Sequence, residues 1–238
     1  GEGTERAVQT PTPLAALRTG QLTVKYFEFT PIANLITEPI LFMVRTESPI
    51  ASSKDLAQRL KADPSALSIA LATARGNAFH ITAALFARSA GADLKKLKVV
   101  VFNSSGEAVT ALLGGHVDVV AVTRGNFLPL YETKKIRILG IASARRSAAG
   151  LLATVPTFKE QGFDVVFDLP RSVMGAKGLT PEQVRYWDNA FGRMVKTNEW
   201  RQAVEKNQWE EDYMNSADLG KSLKAQYEIL KDVLSELG

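Results

Sequence analysis

Cysteine is missing from all 238 residues. With it go disulfides, thiolate nucleophiles and zinc sites built on sulfur, and composition leaves the redox compartment open. Histidine is nearly as scarce. His80 and His116 are the only two, and neither belongs to an H-E-x-x-H or paired metal-ligand pattern, so each reads as a structural histidine. Long apolar runs are missing too: residues 39–44 and 97–102 fall far short of the ~18 that span a bilayer. No Gly-x-Ser-x-Gly elbow, Walker loop or dinucleotide fingerprint occurs, and Asp118 beside His116 reads as the start of a strand rather than an acid–base pair. The expectation is a protein without catalytic residues, cofactor or metal. The first residues, Gly1-Glu2-Gly3-Thr4-Glu5-Arg6, lack an initiator Met, a basic start and an apolar signal core, which describes a processed, trimmed or incomplete end.

What is present is ordinary for a folded globular chain. Apolar residues make up 45% and charged residues 23%, which excludes a disordered, collagen-like or coiled-coil chain. The 29 basic and 25 acidic residues leave a net charge of +4. They are scattered rather than gathered in a stripe, so no nucleic-acid partner is expected. The length suits one large or two smaller domains.

From Pro39 onward short β-branched runs alternate with helical patterns, which predicts an α/β fold with a parallel sheet. Candidate strands lie at 40–45, 67–71, 97–102, 117–122, 136–142 and 164–167. Ser52 and Asp55 open a helix that Asp63-Pro64 closes. Asn77 caps a second helix carrying Ile81, Leu85 and Phe86, and a third runs from Ser104 or Ser105 to Gly114-Gly115. From Thr180 onward no strand pattern returns. Thr180, Pro181 and Gln183 predict a capped helix with a Val184, Trp187, Phe191, Met194 stripe. A last helix behind a Ser216 cap carries Leu219, Leu223, Tyr227, Leu230, Leu234 and Leu237. The first 30 residues, rich in Thr and Pro, read as loop with at most one strand.

In a parallel sheet the strand-to-helix loops open on one edge, where helix N-termini present unpaired N–H groups. Those loops here are Thr73-Ala74-Arg75-Gly76-Asn77, Asn103-Ser104-Ser105-Gly106 and Thr123-Arg124-Gly125-Asn126. Glycines beside small hydroxyl and amide residues suit a carboxylate, because the ligand can approach the backbone while Ser, Thr and Asn donate hydrogen bonds. The same residues also suit ordinary caps and turns, and spacing alone leaves both readings open. Arg75 and Arg124 fit either a ligand contact or a solvated surface.

The run from Asn103 to Asp118, with Leu112-Leu113-Gly114-Gly115-His116-Val117-Asp118 at its end, resembles the loop, helix and Leu-Leu-Gly-Gly-x-Val-Asp segment of the Bug receptors. These are the extracytoplasmic substrate-binding proteins of tripartite tricarboxylate transporters. Phe29-Thr30-Pro31-Ile32-Ala33 resembles their Phe-x-Pro-Val-Ala segment, and Gly76-Asn77-Ala78-Phe79-His80 their Gly-Ser-x-x-His helix start. Val155-Pro156-Thr157-Phe158-Lys159-Glu160-Gln161-Gly162 and Gly178-Leu179-Thr180-Pro181 resemble their late motifs. The likeness follows the chain in order over nearly its whole length.

The resemblance implies an α/β, two-lobed periplasmic-binding-protein-like (type II) architecture with mainly parallel sheets. Residues 33–166 would form the second lobe, and 1–32 with 167–238 part of the first. It implies a periplasmic receptor without covalent chemistry, binding a small organic carboxylate at the lobe interface and delivering it to membrane permease subunits. The ligand-binding positions it carries over are Gly76, Asn77, His80, Ser104, Ser105, Gly106, Thr123, Asn126 and Arg171. The chain departs from the pattern where Asn77 replaces the usual Ser and Val122-Thr123 the usual Asp-Asn pair. Pro170-Arg171 stands where an aromatic residue often precedes the pocket. The family's opening strand and Gly-Gly-x-x-Asp loop have no counterpart, which predicts an incomplete first lobe with Trp187 or Leu223 exposed, and self-association. The alternative reading is a cytosolic ligand sensor on the same fold.

Overall fold

Pro39 separates two strands that follow one another directly, β2 (Phe29–Glu38) and β3 (Ile40–Arg45), and each strand joins a different sheet. In the computed structural model, which describes residues 8–9, 29–147, 150–207 and 209–237, the chain divides into two compact units. The first holds residues 1–38 and 169–231; the second holds 39–168 and 232–238.

The second unit is built on β3, β4 (Ser68–Ala72), β5 (Lys98–Phe102), β6 (Val119–Thr123) and β7 (Ile136–Ile141), ordered β5-β4-β6-β3-β7. β4 pairs in parallel with β5 and β6, whereas β3 runs antiparallel to both β6 and β7. Every residue of β4 is buried, as a strand covered on both faces requires. The helices are α1 (Ser53–Ala62), α2 (Ala78–Ser89), α3 (Ser105–Leu113) and α4 (Leu128–Glu132). Alternation along β3 places α2 and α3 on opposite faces. Phe42 meets Phe86 of α2 at a ring separation of 5.3 Å, and both meet Phe158 at 4.9 Å. Leu41 and Met43 join the cluster that holds Val109 and Leu112 of α3.

The first unit carries a sheet ordered β1-β8-β2-β9, with β1 (Val8–Gln9), β8 (Leu169–Ala176) and β9 (Glu210–Met214), antiparallel throughout. Its helices are α5 (Pro181–Met194), α6 (Asn198–Asn207) and α7 (Ser216–Leu237), the last reaching into the second unit's share of the chain. Leu219 and Leu223 of α7 pack with Met174. No residue of α5 or α6 is fully buried.

The α/β class stands, with mixed sheets rather than mainly parallel ones. Residues 164–167 form no strand. Val165 and Phe167 alternate inward with a strand's period, yet Phe167 N–H makes one bond to Ala142 O at 2.9 Å and no ladder follows. The strand lies just beyond, at β8, disguised by Pro170, Arg171 and Gly175. β9 overturns the expectation of no strand after Thr180; its Glu210-Glu211-Asp212 start carries no apolar alternation. Asn215, not Ser216, caps α7, its Oδ1 accepting from Asp218 N–H at 2.9 Å, while Ser216 is held by the Asp188 carboxylate. Leu223 is buried and Trp187 half-buried. Of the first 30 residues, 1–7 and 10–28 lie outside the described residues.

Candidate ligand site

Because β4, β5 and β6 run in parallel with Ala72 level with Phe102 and Leu71 level with Ala121, the loops after all three leave from the same sheet edge. The loop after β4 is the most constrained. Thr73 takes a left-handed backbone, φ +67°, and Gly76 does so again at φ +77°. Thr73 N–H donates to Phe102 O at 2.7 Å, so the pairing with β5 runs on past the strand end.

Asn77 then caps α2, its Oδ1 accepting from His80 N–H at 3.1 Å. Its Nδ2 donates to Ala72 O and, at 3.1 Å, to Thr73 Oγ1. Gly76 N–H donates to His80 Nδ1 at 2.9 Å. That bond fixes the neutral tautomer, with the ring proton on Nε2. Burial and, secondarily, the nearby Arg75 charge push the His80 pKa down to about 4, so the ring is neutral near pH 7. Nε2–H has no hydrogen-bond partner among the described residues. The N–H groups of Ala78 and Phe79, in the first turn of α2, have no intrahelical acceptor. Three neutral donors therefore remain at the head of α2.

The loop after β5 is organised differently. Ser104 caps α3, its Oγ accepting from Glu107 N–H at 3.2 Å, and the Glu107 carboxylate takes the N–H of Asn103 at 3.2 Å and its Nδ2 at 3.3 Å. A carboxylate thus already stands at this N-terminus. Ser105 is half-buried, its hydroxyl without a partner among the described residues. Gly106 is exposed, and a Cβ there would make only an ordinary 3.7 Å contact with Ser104 Oγ. After β6, Thr123 pairs with Ile40 and is half-buried. Asn126 falls in the 3-10 turn Gly125–Phe127, and its side chain lies outside the described residues.

Arg171 belongs to β8 of the first unit, where its guanidinium binds the Glu38 carboxylate. Arg75 donates to Val99 O at 3.0 Å, and Arg124 is buried. Thr73 was not legible as a special position, since nothing in the sequence marks a left-handed threonine. Asp118, beside His116, binds the N–H and Oγ of Ser68 at 2.7 and 2.6 Å and ties β4 to β6. Among the described residues no cluster of three or more metal-ligating side chains occurs. The Val155-to-Gly162 motif is structural: Thr157 and Glu160 cap each other's backbone N–H groups, and Phe158 enters the aromatic core.

Residues 20–238 match the family TctC, described as the tripartite tricarboxylate transporter family receptor. A protein encoded in the gbd 5′ region of Cupriavidus necator is 28% identical over 207 residues, 87% of this chain and 61% of that relative. BugT of Bordetella pertussis is 28% identical over 156 residues, 65% of this chain and 46% of that protein. The chain therefore spans about three fifths of the first relative's length. Among solved structures, a TctC solute-binding protein from Polaromonas superposes with a TM-score of 0.80 at 22% identity, covering 97% of this chain and 77% of that one. An R. palustris protein solved with adipate gives 0.79 at 21% identity, with the same coverage. The fold is that of these binding proteins.

Proposed function

The chain belongs to the tripartite tricarboxylate transporter receptor family, whose fold is that of solute-binding proteins, and from that premise we propose that it captures a small organic carboxylate for a membrane permease. The observation that carries this reading is the head of α2, where Ala78 N–H, Phe79 N–H and His80 Nε2–H have no partner among the described residues and stand at the positive end of a helix dipole. An anion placed there satisfies orphan donors and gains from the dipole. In this reading Gly76 gives the ligand close access to the backbone, Ser105 and Thr123 supply hydroxyl donors, and Ser104, Gly106 and the backbone of Asn126 belong to the loops at the same edge. The two units serve as the two lobes, and Arg171 belongs to the first.

The protein acts in the periplasm and performs no covalent chemistry; its partners are the carboxylate and the permease subunits. Adipate, found in the R. palustris relative, is the first compound to try. Calorimetry with mono-, di- and tricarboxylates should give one-site binding of at least one compound, weakened about tenfold or more by Ser105→Ala, since a bond to a charged ligand contributes about 1.5–3 kcal/mol. Binding that ignores Gly76→Val and Ser105→Ala together would remove the site, and no binding across the panel would remove the function.

A further inference from the structure

We infer that Asn77 is a positioning residue for this site and not a contact of its ligand, an inference that rests on the function just proposed. The amide of Asn77 has one acceptor oxygen and two N–H donors. Oδ1 accepts from His80 N–H, and Nδ2 donates both to Ala72 O and to Thr73 Oγ1. The side chain is buried, with the residue only 3% exposed. Both N–H donors, the only groups with which the amide could hold a carboxylate, are already engaged within the chain.

The object of that engagement is Thr73. A β-branched residue at φ +67° is rare, because Cβ crowds the backbone there, and it persists only where its surroundings hold it. Two bonds do so: Thr73 N–H to Phe102 O, and Asn77 Nδ2 to Thr73 Oγ1. The first anchors Thr73 to β5; the second ties its side chain to the cap of α2. A serine at position 77 could still cap the helix through its hydroxyl, but it could not donate simultaneously to Ala72 O and Thr73 Oγ1. Asn77 therefore sets the path of residues 73–77 and, through it, the aim of the Ala78 and Phe79 N–H groups and of the His80 ring. The ligand group seated there meets donors only, two backbone N–H groups and one imidazole N–H. That arrangement selects an ionised carboxylate over any group that must itself donate a proton, such as a hydroxyl or an ammonium.

The test uses the 238-residue chain with Asn77→Ser, Thr73→Gly and the double variant. Amide hydrogen exchange is read without ligand, and calorimetry is run with adipate and then with the wider carboxylate panel. Asn77→Ser should leave the thermal midpoint and exchange along residues 81–89 unchanged, because the cap survives. Exchange at Thr73, Ala74 and Gly76 should rise by about tenfold or more, the loop being a locally opening segment. Adding Thr73→Gly should reverse most of that rise, since glycine holds a left-handed backbone without help. Affinity should fall about tenfold with Asn77→Ser and recover in the double variant, which a lost direct contact could not do. Unchanged exchange at 73–76 in Asn77→Ser overturns the inference, as does an affinity loss that Thr73→Gly fails to restore. If no carboxylate binds the unmodified chain, the function falls while the exchange data still decide the role of Asn77.

Discussion

His80 shows how one side chain joins loop geometry to a pH response. Its ring accepts from Gly76 N–H, and its pKa is lowered from 6.5 to about 4 by burial and by Arg75. The unfolded chain binds a proton at this ring between those two values while the folded chain does not, so stability rises with pH across that window. The contribution is fully present above pH 6.5 and lost as pH falls toward 4, with a ceiling of about 3 kcal/mol. In urea unfolding the stability gap between the unmodified chain and His80→Gln should shrink from pH 7 to pH 4.5; a gap that stays constant would show that the ring does not titrate this way. Residues of this kind were only partly legible. The Gly76-Asn77-x-x-His80 spacing located a helix start and a candidate loop, because caps depend on local chemistry. It did not show that Glu107 occupies the head of α3 or that Glu38 holds Arg171, since those partners are set by pairing and turn geometry.

Among the elements, α2 and α5 form a pair of opposites. α2 is embedded: Ile81, Ala83, Ala84, Phe86 and Ala87 have no exposure at all. α5 begins with a complete Thr180–Gln183 capping box but has no buried residue, its stripe of Val184, Trp187 and Phe191 being only half covered. Phe86→Ala should therefore cost about 3–5 kcal/mol, the range for a buried aromatic. Trp187→Ala should cost about half as much or less despite the larger side chain, as urea denaturation of the two variants will show; equal losses would mean that α5 is anchored as firmly as α2. The capping signals for both helices were readable because they act within four residues. The strands were readable where apolar runs are buried on both faces, as in β3 and β4. They failed where pairing partners decide, as at Pro170 in β8, whose register against Thr37 no local pattern announces, and in the acidic β9, where Asn34 and Thr37 bond to Asp212.

At the scale of the whole molecule, the two units differ in how much apolar surface they bury. The second carries a four-ring aromatic cluster of Phe42, Phe86, Phe158 and Phe163 and the larger hydrophobic cluster, while the cluster of the first rests on Met174, Leu219 and Leu223 with Phe29 and Met214 beside them. All three tryptophans, Trp187, Trp200 and Trp209, fall in the first unit. Tryptophan fluorescence should thus report loss of the first unit at a lower urea concentration than the far-ultraviolet circular dichroism midpoint, which weighs both; coincident curves would show a single cooperative block. The placement of β3 has a different kind of consequence. Its neighbours β6 and β7 lie roughly 80 to 100 residues further along the chain, so a ribosome releases Ile40–Val44 long before either edge that will flank it exists. Throughout that interval a strand of five apolar residues has two open sides and no native mate. It is the stretch a holding chaperone has most reason to cover, and an interior place in this sheet is filled by the first of its strands to be made.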